Sequence, residues 1–157
     1  MRKTRAGEPY VFDTSALLTL WNDEDGAELL ENLLREESDI YVSFMSYMES
    51  RYRIWKNVSK EESEEFSKYA ELLPLTRIDM TDAIFEKAIE IKATKNLSVC
   101  DSWIIATAIA LGATSASIGG SLFADRTEGR RINLQEFQVI LQHQAQACVD
   151  EKLSSIP

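Results

Sequence analysis

The sequence predicts an α/β fold of three layers, α/β/α, with a mostly parallel central sheet. Three observations carry that expectation. Short apolar runs alternate with longer segments of helical periodicity through the first 118 residues, the order that gives parallel strands with helices on both faces. The passage from strand to helix is abrupt, as in Tyr10-Val-Phe-Asp13 followed by Thr14-Ser-Ala-Leu-Leu. No internal repeat and no linker rich in Gly, Ser or Pro interrupts the 157 residues, a length suited to one domain.

Taken in order, residues 1–9 read as an N-terminal tail and Tyr10–Phe12 as a first, buried strand. A helix begins at Thr14, and a second runs from about Asp25 to Glu37 on the apolar positions Ala27, Leu30, Leu33 and Leu34. Ile40–Val42 is the next strand. Ser43 or Ser46 then caps a helix whose Met45, Met48, Tyr52 and Trp55 recur at helical spacing and predict its apolar face. Lys60 to Leu73 forms an acidic, exposed helix that Pro74 ends. Leu75–Ile78 is a strand and Thr81–Thr94 a helix. Ser98-Val-Cys-Asp101 has the spacing of a capping box, its helix running to Leu111 with Gly112 as the stop. A strand over Thr114–Ile118 follows, and a last helix over Leu134–Leu153. The domain expected from this order spans 10–133, with 134–157 as a C-terminal helix and tail.

Composition removes several classes of function. With 45% hydrophobic and 27% charged residues the chain is of globular type, not disordered. No apolar run nears the ~20 residues that cross a bilayer, and no apolar stretch of signal-peptide length follows the basic start; a cytoplasmic protein with no membrane association is expected. Two cysteines, Cys100 and Cys148, stand far apart, and His143 is the one histidine. A thiolate–imidazole zinc site is therefore excluded, and any metal chemistry would use oxygen ligands. Seventeen basic against twenty-six acidic residues give a net charge of −9, a field that argues against a nucleic-acid coat protein. It leaves open an enzyme that meets a phosphodiester through cations.

Three carboxylates stand where charge is costly. Asp13 ends an apolar strand, Glu49 lies between Met45 and Tyr52 on the expected apolar stripe, and Asp101 lies on the side of its helix that carries Ile104 and Ala108. Each has an ordinary alternative: Asp13 as a helix cap, Glu49 as an ion-pair partner of Arg51 or Arg53, Asp101 as the end of its capping box. Together they would repel one another, and no inward Lys or Arg matches them. A divalent cation, Mg²⁺ or Mn²⁺, resolves the repulsion.

The stretches Asp13-Thr-Ser-Ala-Leu-Leu, Ser43-Phe-Met-Ser-Tyr-Met-Glu49 and Leu97-Ser-Val-Cys-Asp101-Ser-Trp-Ile-Ile-Ala-Thr-Ala resemble the three leading motifs of PIN-domain nucleases. Their order and spacing are most similar to the VapC-type toxins of toxin–antitoxin pairs. The resemblance covers roughly residues 10–116. It implies a PIN-like fold, Mg²⁺ or Mn²⁺ held by Asp13, Glu49 and Asp101, support from Ser15 or Thr14, endonucleolytic cleavage of RNA, a homodimer, and silencing by a cognate antitoxin. The chain departs from the family at the fourth acid, where Gly119 and Gly120 fall. Either a longer loop returns Asp125 to that place as a metal ligand, or the fourth ligand is missing and Asp125 is a loop residue beside Arg126.

Arg51, Arg53 and Lys56, on and after the Glu49 helix, are candidates for contact with RNA phosphates, or solvated helix charges. Trp21, Tyr52 and Trp55 are candidates for base stacking, or packing residues. Two rival functions remain. A PIN-like protein impaired in catalysis would act through dimerisation and partner binding. A phosphotransfer domain built on a nucleophilic aspartate would need a second Asp after Asp13-Thr and a Lys after the late strand, and the sequence has neither in place.

Overall fold

The computed structural model describes residues 9–36, 39–116, 123–124 and 131–132. Strand β1 (Tyr10–Phe12) leads into α1 (Thr14–Asn22), then α2 (Ala27–Arg35), β2 (Ile40–Ser43), α3 (Phe44–Asn57) and α4 (Lys60–Leu72). Next come β3 (Thr76–Ile78), α5 (Asp82–Thr94), α6 (Val99–Leu111), β4 (Thr114–Ala116), β5 (Phe123–Ala124) and β6 (Arg131–Ile132). The strands form one sheet in the order β3-β2-β1-β4-β5-β6. From β3 to β4 the neighbours are parallel, with Phe12 opposite both Val42 and Ala116. The two-residue strands β5 and β6 extend one edge antiparallel, so the mostly parallel sheet expected from the sequence is the sheet found.

A central strand covered on both faces must be apolar at every position, because neither side meets water. Tyr10, Val11 and Phe12 are all buried for that reason. Tyr10 and Phe12 pack with Ala16, Leu20, Leu30 and Leu33 of α1 and α2. Val11 faces the other way, onto Ile104, Ala108 and Ala113 of α6 and the turn that follows it. Val42 completes the first face with Leu17, Ile54, Phe66 and Ala70. On the second face, α5 closes on α6 through Ile84, Ala88 and Ile91 against Ile105 and Ala106. Among the described residues no helix is long and apolar enough to cross a membrane.

Helix starts follow the polar residues that precede them. Asp13, Ser43, Ser59, Thr81 and Ser98 each accept a backbone N–H of the first turn, satisfying donors that a helix cannot pair internally. The second helix begins at Ala27 rather than Asp25 because Asp23 and Gly26 are left-handed, with φ of 53° and 101°. Gly112, at φ 59°, ends α6 as expected.

One expectation is corrected. The Met48, Tyr52 and Trp55 stripe of α3 faces outward, these residues being 45%, 48% and 52% exposed. The buried face is Ser46, Ser50 and Ile54, four residues apart. Small side chains let α3 approach its neighbours closely, and close approach outweighs the larger apolar area of the opposite stripe. Ser50 Oγ satisfies itself on the Ser46 carbonyl at 2.8 Å, whereas Ser46 Oγ is buried with no hydrogen-bond partner among the described residues. The tail over 1–8, the end of the fourth strand at 117–118, Asp125, and the helix expected over 134–153 lie outside the described residues.

Two substitutions on this face have opposite expected outcomes. Phe66→Ala empties a fully buried site and should cost about 3–5 kcal/mol in urea unfolding. Ser46→Ala removes an unpaired buried hydroxyl and should leave stability unchanged or higher. A loss of 1 kcal/mol or more in Ser46→Ala would mean that this hydroxyl is paired.

Candidate active site

In parallel α/β units each crossover helix starts beyond the carboxyl end of a strand, and ligands of such sheets bind there. Asp13 follows Phe12 directly and caps α1, its Oδ1 accepting the Ala16 N–H at 2.9 Å and the Ser15 hydroxyl at 2.8 Å. Glu49 lies in the first half of α3, which leaves β2 without a break. Asp101 is the third residue of α6. The positive ends of two helix dipoles thus fall near Asp13 and Asp101.

Polar contacts draw these elements together at Glu49. The Thr14 hydroxyl donates to Glu49 Oε2 at 2.8 Å, tying α1 to α3 across 35 positions of sequence. From α6, the Cys100 thiol lies beside the Glu49 carboxylate and feels its charge. Burial, then Glu49, then the charge of Asp101 push this thiol up to about 11. Asp101 is held locally: Ser98 Oγ accepts its backbone N–H at 3.0 Å and donates to its Oδ2 at 2.7 Å. The expected capping box is present in altered form, the carboxylate bonding the Ser98 hydroxyl.

Asp13, Glu49 and Asp101 are all half-buried. The ion pairs among the described residues are surface pairs, such as Arg35 with Glu31 and Arg77 with Asp79. Neither Glu49 nor Asp101 enters one, so pairing with Arg51 or Arg53 is not what holds Glu49. Among the described residues no three His, Cys, Asp or Glu side chains are grouped so as to hold a metal ion. As the side chains stand, each carboxylate spends oxygen on a local bond, Asp13 on its cap, Glu49 on Thr14, Asp101 on Ser98.

Both hydroxyls expected as supporting candidates bond an acid: Ser15 donates to Asp13 and Thr14 to Glu49. Cys100 is the member that sequence reasoning missed. Counting cysteines as pairs gave it no role, although its place one residue before Asp101 on the first turn of α6 was the available signal. Of the basic candidates, Arg51 turns to α4, its Nε donating to Ser63 Oγ at 3.3 Å. Lys56 is exposed in the last turn of α3. Arg53 lines a cavity that Ser15 also lines. Trp21 packs against Phe66 and Tyr69, with ring centroids 5.7 and 5.3 Å away. Trp55 lies under the Lys60 ammonium at 5.5 Å.

Comparison with known proteins bears on this arrangement. The family model of the PIN domain matches residues 10–126. No curated protein matches the sequence. Among solved structures, the chain is similar to VapC20 of Mycobacterium tuberculosis, described as a Sarcin-Ricin loop cleaving toxin. The two share 14% identity over 71% of this chain and 90% of that one, with a TM-score of 0.59. VapBC2 of Rickettsia felis, bound to a DNA fragment from its promoter, matches at 21% identity over 71% and 88% of the two chains, TM-score 0.60. A toxin–antitoxin complex from Klebsiella pneumoniae matches at 19% identity over 70% and 86%, TM-score 0.55. Identities this low speak for the fold alone, and the shared fold agrees with the family match: the chain belongs to the PIN domain family.

Proposed function

We propose that the chain is a metal-dependent endoribonuclease, the toxin of a type II toxin–antitoxin pair, which hydrolyses RNA phosphodiester bonds at Asp13, Glu49 and Asp101. The observation that carries this reading is the network in which Glu49 binds Thr14 of α1 and lies beside Cys100 of α6, drawing three acid-bearing elements to one edge of the sheet. The donor set fits a hard divalent cation. It consists of carboxylate oxygens, with no paired Lys or Arg on Glu49 or Asp101 among the described residues, and a thiol that stays protonated at neutral pH. Mg²⁺ or Mn²⁺ held there would supply an activated water and positive charge facing the phosphodiester.

The chain's own residues orient the carboxylates. The Ala16 N–H and Ser15 fix Asp13, Thr14 fixes Glu49, and Ser98 fixes Asp101, so that little reorganisation is left when substrate arrives. The toxins among the fold neighbours support a cognate antitoxin as partner, and the outward Met48, Tyr52 and Trp55 support a homodimer. A second reading, a PIN protein that binds partners without cutting, is favoured by Gly119 and Gly120 in the place of a fourth acid. In the nuclease reading the three acids suffice, alone or joined by Asp125 as a fourth.

Three expected outcomes follow from this site. Purified antitoxin-free protein should cleave a structured RNA pool with Mg²⁺ or Mn²⁺ and not with EDTA. Asp13→Asn and Asp101→Asn should abolish cleavage while keeping the circular dichroism of the wild type. Full activity in either variant contradicts the site, and folded protein that cuts nothing favours the second reading. Thr14→Val should lower cleavage about 10–100-fold without unfolding, as loss of an outer hydrogen bond does; unchanged rates would separate Thr14 from the site.

A fourth expected outcome concerns Cys100. A thiol raised to about 11 is protonated at neutral pH and its thiolate appears only in strong alkali. Alkylation of Cys100, followed by peptide mass spectrometry, should therefore be slow at pH 7 and rise above pH 9. The same shift makes a stability contribution that is full below the ordinary thiol range and lost as pH climbs through about 11. Glu49→Gln should move the alkylation profile to lower pH; a profile near the ordinary ~8.5 in the wild type would contradict the contact.

A further inference from the structure

A cavity of about 340 Å³ lies between α1 and the second half of α3, walled by Ser15, Trp21, Asn22, Arg53, Asn57 and Val58. Its volume is at the small end of the ~300–1,000 Å³ that ligand pockets enclose, room for one ring system rather than a folded segment. We propose that it is a nucleoside subsite, holding one unstacked base of the RNA strand beside the cut. This rests on the nuclease reading above for the identity of the polymer, and on the cavity itself for the binding.

Position is the first argument. Ser15 belongs to both places, lining the cavity while its hydroxyl donates to Asp13 Oδ1 at 2.8 Å. A nucleotide whose phosphate meets Asp13 has its own or its neighbour's base within one residue of this opening. Lining chemistry is the second. Asn22 and Asn57 bring primary amides, each a paired donor and acceptor of the kind that reads a base edge. Asn22 is steadied by its bond to Glu24 Oε1 at 2.9 Å, and Glu24 itself lines the cavity. Trp21, anchored on Phe66 and Tyr69, gives a rigid aromatic wall.

Charge is the third. The whole chain carries −9, so an RNA strand needs local cations to stay near the acids. Arg53 is one of these, on the cavity wall and in no ion pair among the described residues. Its planar guanidinium suits a phosphate oxygen pair or the face of a base. Arg51, spent on Ser63, and Lys56, two turns past Glu49, are less suited. The subsite thus separates Arg53 from the other basic residues of α3, as the one that positions a nucleotide.

Side-chain amide signals in a ¹⁵N-labelled sample test this directly. The four ribonucleoside 5′-monophosphates would be titrated, in EDTA, into wild-type protein and into Asp101→Asn. The Asn22 and Asn57 amide signals should move saturably, at least one nucleotide should bind several-fold tighter than the weakest, and Asn32 and Asn96 should stay still. Asn57→Ala should weaken that nucleotide several-fold and narrow the spread among the four. The proposal is overturned if no nucleotide moves the two signals, if inorganic phosphate moves them equally, or if they answer only to the cognate antitoxin. Asp101→Asn keeps the cavity and should show the same shifts; saturable shifts in a wild-type protein that cuts no RNA with Mg²⁺ or Mn²⁺ would sink the nuclease reading and leave the subsite standing. RNA cleavage with silent Asn22 and Asn57 would do the reverse.

Discussion

Glu49 is the residue on which the arrangement turns, because it is where α1, α3 and α6 meet in polar contact. Its carboxylate accepts from Thr14, one residue beyond the strand-ending Asp13, and lies beside the thiol of Cys100, one residue before Asp101. Carboxylates brought together without cations repel. The fold accepts that cost by placing two of the acids at helix starts, where peptide dipoles and first-turn N–H groups oppose the charge. On the proposed nuclease reading, a divalent cation with oxygen ligands would answer the remaining repulsion.

The rest of the molecule can be read as support for that edge. Parallel pairing of β1 with β2 and β4 aligns their carboxyl ends, and the burial of Tyr10, Val11 and Phe12 fixes the strand from which Asp13 emerges. Helix α3 reaches the edge by burying serines instead of its bulky residues, which brings its backbone close and leaves Met48, Tyr52 and Trp55 outside. The same orientation sets Arg53 and Asn57 against α1, and so makes the cavity beside Ser15. Acidic edge, outward apolar face and cavity are three consequences of how one helix is rotated.

Much of this was legible in the sequence. Caps at Asp13, Ser43 and Ser98 and the stop at Gly112 announce themselves, since orphan N–H groups and left-handed φ admit few residue types. Asp13 and Asp101 could be singled out because a charge next to buried strand or helix positions demands a reason. Glu49 was found by a premise that failed. The stripe of Met45, Met48, Tyr52 and Trp55 was taken for the core face, and hydrophobic periodicity cannot tell a core face from a partner face when the true core face is made of serines. Cys100 escaped because its place beside Glu49 joins helices about a third of the chain apart in sequence. Arg51, Arg53 and Lys56 looked alike in sequence, and only packing against α4 and α1 distinguishes them.

The central claim is that Asp13, Glu49 and Asp101 form one binding site for a hard divalent cation, and calorimetric titration of Mn²⁺ tests it most directly. Wild-type protein, free of antitoxin, should bind Mn²⁺ at a saturable site, and Glu49→Gln, with an unchanged far-UV spectrum, should bind it roughly tenfold or more weakly. No saturable binding in the wild type, or equal affinity in the two proteins, would contradict the account.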